Sequence, residues 1–269
     1  MAAAGQEHER ESRADASWPP TLVRDLFLIA LAATSGYVDA VSYLGLGGVF
    51  TSNMTGNTVL LGLALARADR LAAARSALAV AGFLAGAAGG ALVVGPDRHV
   101  VWPRVVTALF AIELVTLGAL VAGGFIVCPG GCAGSERPGL YALIVFAALA
   151  MGLQSIAVRA LDVSGVTTTY ITGTYTSLTV GLAKRLRRAS LPPPEGRVPR
   201  PAPHGQGLQA AVVAVYVLAA VAGGVAETHW RLAAYVVPAI AVAGVAAAAH
   251  ARFRRDEGGR LEEPSERPS

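Results

Sequence analysis

Two short stretches of this chain concentrate polar side chains inside an otherwise apolar sequence. The first is Thr51-Ser52-Asn53-Met54-Thr55-Gly56-Asn57 and the second is Thr167-Thr168-Thr169-Tyr170-Ile171-Thr172-Gly173-Thr174. Each stands at the mouth of an apolar segment with helical character. At membrane depth, irregular polar backbone survives only where protein buries it or water reaches it, and helix starts there present free N–H groups and a positive dipole end. Such a pair of loops could bind a small anionic or zwitterionic solute. Asn53, Thr55, Gly56 and Asn57 from the first loop, Thr172, Gly173 and Thr174 from the second, and Gln154 nearby form the candidate substrate site. The same residue types also serve as packing glue, because hydroxyls and amides hydrogen-bond between helices and glycines let backbones approach. The residues alone leave both uses open.

Two acids lie inside long apolar runs: Asp39 within 26–46 and Glu113 within 105–127. A carboxylate facing lipid costs at least about 2.5 kcal/mol, so each must face protein or water or be protonated. Both are candidates for ion coupling; the alternative is a carboxyl bonded to a neighbouring Ser, Thr or Tyr that never turns over. Cys128 and Cys132 are too few for a structural metal site, where four ligands are usual. Their redox state would instead mark topology, since a disulfide is feasible only in an oxidising compartment. No nucleophile elbow, P-loop, HExxH or dinucleotide fingerprint is present. Catalytic residues, metal ligands and cofactors are therefore not expected, and the chain is not expected to be an enzyme.

These residues need elements to hold them, and composition says which. Hydrophobic residues make up 54% of the 269 and charged residues 15%, with mean hydropathy +0.51; a soluble domain carries about a quarter of its residues charged. Uncharged runs at 76–95, 140–158, 208–226 and 232–249 each approach the roughly 20 residues that cross a bilayer. With the two acid-bearing runs, the expected fold is all-α, a polytopic transmembrane bundle of six to eight hydrophobic helices in a lipid bilayer. The net charge of +4 then belongs to cytoplasmic helix ends rather than to a nucleic-acid interface, which would need a basic and aromatic stripe. Residues 1–21 and 251–269 read as disordered polar tails, and 189–207, rich in Pro and Gly, as a flexible connection. The start of the chain is too polar for a cleavable signal peptide.

The chain also resembles itself. A shift of 116 places Gly36 on Gly152, and a shift of 117 places Gly48, Val49, Thr51, Thr55, Gly56, Leu61, Leu65 and Ala66 on identical residues. This predicts two repeats, 22–127 and 138–250, a construction common among transporters. In each, the short helix after the polar loop, 51–66 or 166–183, is the ambiguous element. If it crosses, there are eight spans and parallel repeats; if it dips in and returns, six spans and inverted repeats. Counting arginines in the connecting loops leans to eight, with both termini cytoplasmic in either case.

Ser35-Gly36-Tyr37-Val38-Asp39-Ala40 followed by Thr51-Ser52-Asn53-Met54-Thr55-Gly56-Asn57, with Met151-Gly152-Leu153-Gln154 and Thr172-Gly173-Thr174, resembles the YoaK-like family of uncharacterised bacterial membrane proteins. The resemblance covers roughly 24–250 and implies about six spans of ordinary length, with no substrate or site residue to carry over. The expected function is a secondary transporter or permease for a small solute in the bacterial inner membrane; the other class is a non-transporting scaffold or assembly protein. Neither the solute nor the oligomeric state is legible.

Overall fold

The computed structural model describes residues 19–94, 101–129, 132, 137–163, 166, 168, 171–189 and 205–260. Among these described residues eight α-helices follow one another: α1 (Pro20–Gly45), α2 (Met54–Ala66), α3 (Arg70–Val93), α4 (Arg104–Val127), α5 (Gly139–Ala160), α6 (Ile171–Ala189), α7 (Gly205–Trp230) and α8 (Val236–Arg260), with a 3-10 turn, Arg231–Tyr235, before the last. The chain is a helical bundle, and α1, α3, α4, α5, α7 and α8 are the six helices long and apolar enough to cross a membrane.

Helix boundaries follow local chemistry. Pro19 and Pro20 open α1, where a missing N–H and a fixed φ suit the first turn. Asn53 caps α2 by accepting from the Gly56 N–H at 3.1 Å, and Asp69 caps α3 by accepting from the Ala72 N–H at 3.0 Å. Gly47 and Gly48, at φ +81° and +82°, end α1 with a reversal that suits residues lacking a Cβ. The tail expected to be disordered from 251 instead continues α8 to Arg260. The first span likewise starts at Pro20, inside the expected 1–21 tail, and Gly205 to Gly207, expected in the flexible connection, are the first turn of α7. The remainder of both tails and residues 190–204 lie outside the described residues.

Helix pairing is tight because glycines line the contacts. A Cβ on Gly86 would collide with the Leu149 carbonyl oxygen, and one on Gly82 would sit 2.9 Å from that of Val145, so α3 and α5 meet backbone to backbone. Gly152 meets Phe83 in the reciprocal way, and on α1 and α7 Gly36 meets Tyr216 while Gly223 meets Tyr37. Such small-residue seams supply packing where lipid offers no hydrophobic drive between helices. Contacts advance together along both pairs, so α1 runs parallel to α7 and α3 parallel to α5. The other principal pairings are α4 with α5, α4 with α8, α1 with α8, α2 with α3, and α6 with α7.

This arrangement resolves the ambiguous short helices. Trp102, just before α4, stacks on Phe253 of α8 at 5.5 Å and meets the ring of Phe27 in α1 edge-on at 5.3 Å. The starts of α1 and α4 and the far part of α8 thus share one end of the bundle. An eight-span chain would put α4's start at the opposite end. Helix α2, 13 residues and about 20 Å long, begins beside Asp39 within α1. It finishes where Leu63, Ala64 and Arg67 adjoin Gly47 and Gly48 at α1's far end. It re-enters and returns without crossing. Helix α6 behaves alike: Tyr175 in its first turns is within electrostatic range of Tyr216, mid-way along α7, whereas Gly181 packs on Gln206 at α7's start. The arginine count that leaned to eight spans assumed that any apolar helix between two basic loops crosses. The disulfide between Cys128 and Cys132 lies after α4, at the end opposite Trp102.

Single cysteines placed by Arg67→Cys, Arg137→Cys and Ala251→Cys, in a Cys128→Ser/Cys132→Ser background, test this path. With a membrane-impermeant maleimide on intact cells and on inverted vesicles, positions 67 and 137 should label from one side and 251 from the other. Labelling of 67 together with 251 would overturn the six-span arrangement.

Candidate functional site

The site forms around one carboxylate. Asp39 lies six residues before the end of α1, on the face that meets the returning segment 46–53, and is 3% exposed. Its Oδ1 accepts the backbone N–H groups of Thr51 at 3.0 Å and Ser52 at 2.7 Å; its Oδ2 accepts the Ser52 hydroxyl at 2.6 Å and the Tyr216 hydroxyl of α7 at 2.8 Å. Four donors saturate the group. Ser42 Oγ, one turn further along α1, lies 3.2 Å from Thr51 Oγ1.

Asn57 completes the hold from the other direction. Its Oδ1 accepts from the Phe50 N–H at 2.9 Å and its Nδ2 donates to the Phe50 carbonyl at 2.6 Å. The fully buried amide thus pairs with the non-helical backbone as a neighbouring strand would. Gly56 is needed beneath it: a Cβ there would lie 2.9 Å from the Phe50 ring. Asn53 is occupied as the α2 cap, while Thr55 is exposed. On the other half of the bundle, Gln154 Nε2 donates to Ser35 Oγ at 2.8 Å and to the Leu31 carbonyl at 3.1 Å, tying α5 to α1. Thr174 is buried, Thr172 exposed and Gly173 half-buried in the first turn of α6. Thr168 is buried, with no hydrogen-bond partner for its hydroxyl. Thr167, Thr169 and Tyr170 fall outside the described residues.

Apart from Gln154, which ties α5 to α1 at Ser35 and Leu31, and Glu113, the candidate residues are brought to two places that share Tyr216. The first is the Asp39 cradle; the second is the start of α6, reached through Tyr175. Glu113 stands apart. It is fully buried in α4, which packs on α5 and α8, and neither carboxyl oxygen has a hydrogen-bond partner. Among the described residues no group of three His, Cys, Asp or Glu side chains could hold a metal ion.

A model of the family described as protein of unknown function (DUF1275) matches residues 27–248. The chain belongs to the DUF1275 family. It is 36% identical over 165 residues to the UPF0700 transmembrane protein YoaK of Bacillus subtilis (strain 168), covering 61% of this chain and 69% of that protein. No solved structure matches.

In this DUF1275 protein, three participants escape sequence reading. Tyr216 and Tyr235 each sit in an apolar run like any membrane tyrosine; only the α1–α7 contact turns Tyr216 toward Asp39, and Tyr235 donates to the Val41 carbonyl at 3.1 Å across 194 residues. Glu227 follows directly on the run 208–226 and resembles an interfacial residue, yet it is 6% exposed, packed against Gly45. An acid within one turn of a helix end was the available signal.

A double-mutant cycle measures the cradle. Asp39→Ala strands two backbone donors and should destabilise the detergent-solubilised protein by about 3 to 5 kcal/mol, and Tyr216→Phe by about 1 to 3 kcal/mol. The double substitution should cost little more than Asp39→Ala alone. Strict additivity in the unfolding free energies would show that Tyr216 and Asp39 do not act as a unit.

Proposed function

We propose that this protein is a secondary carrier or permease for a small solute, built from two inverted halves whose half-helices α2 and α6 converge on the middle of the bundle. One observation carries the reading: two short helices begin near Tyr216, at mid-depth, rather than at an end. Broken helices with their N-termini at the midplane are how many secondary transporters present positive dipole ends and N–H groups to anionic or zwitterionic substrates.

The pairing pattern supports the duplication. Exchanging the halves maps α1 with α7 onto α5 with α3, α2 with α3 onto α6 with α7, and α4 with α5 onto α8 with α1. Gly36 on Tyr216 becomes Gly152 on Phe83, the same glycines that the shift of 116 aligns. Orientation follows from two independent features. Among the described residues, seven basic side chains, Arg24, Arg104, Arg159, Lys184, Arg185, Arg187 and Arg252, lie at the end that holds the termini against five, Arg67, Arg70, Arg75, Arg137 and Arg231, at the other, and the Cys128–Cys132 disulfide lies at that second end. Basic ends face the cytoplasm and disulfides persist outside it. We therefore assign both termini to the cytoplasm of a bacterial inner-membrane protein, with no catalytic role for any residue.

Within this reading Asp39 anchors the re-entrant segment rather than coupling an ion, since all of its acceptor directions are engaged. Thr55 and Thr172 are the exposed hydroxyls left to meet a solute. The scaffold reading draws on the same bonds, because Asp39, Asn57 and Gln154 are engaged in holding the bundle together.

Thermal stabilisation of the purified protein by a panel of small anions, amino acids and metabolites discriminates the two readings. A solute at about 100 times its Kd should add roughly 2.7 kcal/mol. Thr55→Val, at an exposed position, should abolish that gain while leaving the unliganded melting temperature near wild type. If no solute stabilises the wild type across the panel, the scaffold reading takes precedence.

A further inference from the structure

Beyond the Asp39 cradle, a second polar cluster fills the end of the bundle away from the termini. Glu227, in the last turn of α7, has Oε1 at 2.7 Å from the point a Gly45 Cβ would occupy, and the Tyr235 hydroxyl lies 2.8 Å from the same point. The two oxygens therefore approach one another across a glycine that leaves them room. Glu227 Oε2 is buried with no hydrogen-bond partner, as is the hydroxyl of Tyr37 from α1, and the two groups are within electrostatic range. Arg231, exposed at the α7 terminus, is the cation within range of Glu227.

The cluster continues inward. Tyr235 interacts with Ser42 as well as with the Val41 carbonyl. Ser42 Oγ lies 3.2 Å from Thr51 Oγ1, and the Thr51 N–H is held by Asp39. A file of hydroxyls thus links Glu227 to the re-entrant segment. The groups facing Glu227 are Tyr37 from α1, Tyr235 from the 3-10 turn and Arg231 from the junction. Tyr175 of α6 approaches Tyr216, eleven residues or about 16 Å away along α7.

We propose that Glu227 is the proton-exchanging carboxyl of this protein, reached from the end opposite the termini, and that its charge is read by the re-entrant segment through Tyr235, Ser42 and Thr51. A proton from bulk water adds to a carboxylate oxygen, giving a neutral acid and turning an acceptor into a donor. Its return to water restores the carboxylate. The Tyr235 hydroxyl gives its own proton to the Val41 carbonyl, so it can accept from the neutral acid and faces the carboxylate only with its lone pairs; the change of charge thus alters its hold on α1, beside Ser42 and Thr51. Asp39, with four donors, has no place for a proton without losing one; Glu227 has an oxygen without a hydrogen-bond partner and lies in the last turn of α7, beside the exposed Arg231. The inference rests on the carrier reading only for the use made of the proton.

Infrared difference spectra of the full-length protein in lipid vesicles, recorded between about pH 5 and 9 to bracket shifted carboxyls, test this without any substrate. Wild type should show a protonated-carboxyl band that disappears in Glu227→Gln and persists in Glu113→Gln. Tyr235→Phe should keep the band and shift its midpoint. Arg231→Gln should raise the midpoint, because removing a nearby cation favours the neutral acid; this variant keeps the test decisive if Glu227→Gln misfolds. A spectrum unchanged by Glu227→Gln, loss of the band in Glu113→Gln instead, or a midpoint indifferent to Arg231 would overturn the proposal. A titrating Glu227 in a protein that binds no solute would sink the carrier reading alone.

Discussion

Backbone N–H groups outside a helix cannot be left bare at membrane depth, where each unsatisfied donor costs several kcal/mol. Residues 46–53 of this protein turn back into the bundle in non-helical conformation, and the carboxylate of Asp39 meets two of their donors directly. The rest of the arrangement is arranged to keep that contact. Asn57 serves Phe50 on both its donor and its acceptor, Gly56 admits the Phe50 ring, and Tyr216 fills the remaining acceptor direction of Asp39 from α7. An intramembrane acid, ordinarily a liability, becomes here the condition for a re-entrant segment.

That cradle also explains the order of helix packing. Tyr216 reaches Asp39 only because α1 and α7 lie backbone to backbone, and they do so through Gly36 and Gly223. A larger residue at either position would part the helices and withdraw the hydroxyl. The glycine seam, the tyrosine and the carboxylate form one cooperative unit, so a change remote from the loop can release it. The reciprocal seam of α3 on α5, with Gly82, Gly86 and Gly152, joins the two halves a second time.

The two other buried acids among the described residues differ from Asp39 in one respect. Glu227 has an oxygen without a hydrogen-bond partner and Glu113 has two, and unsatisfied buried carboxyls invite a functional or protonation-state explanation. Glu227 lies a turn from a helix end beside tyrosines and an arginine, whereas Glu113 is enclosed mid-helix. Position along the helix, rather than residue type, separates Glu227, in the last turn of α7, from Glu113 in the middle of α4.

The membrane class, the six long helices and the short polar-headed ones were legible in the sequence, because hydrocarbon imposes length and apolarity on each span independently of its neighbours. The Asn-x-Thr-Gly-Asn element and the buried acids also stood out, being polar where polarity is expensive. Whether the short helices cross depended on where they begin in depth. Only the contacts of Asp39 with Thr51 and Ser52, and of Trp102 with Phe27 and Phe253, settled it. The roles of Tyr216, Tyr235 and Glu227 were equally hidden, since an apolar run does not reveal which face of a helix meets which partner. Partition into the bilayer is a property of each segment, while a hydrogen bond between residues 177 apart, as from Tyr216 to Asp39, exists only once the helices have packed.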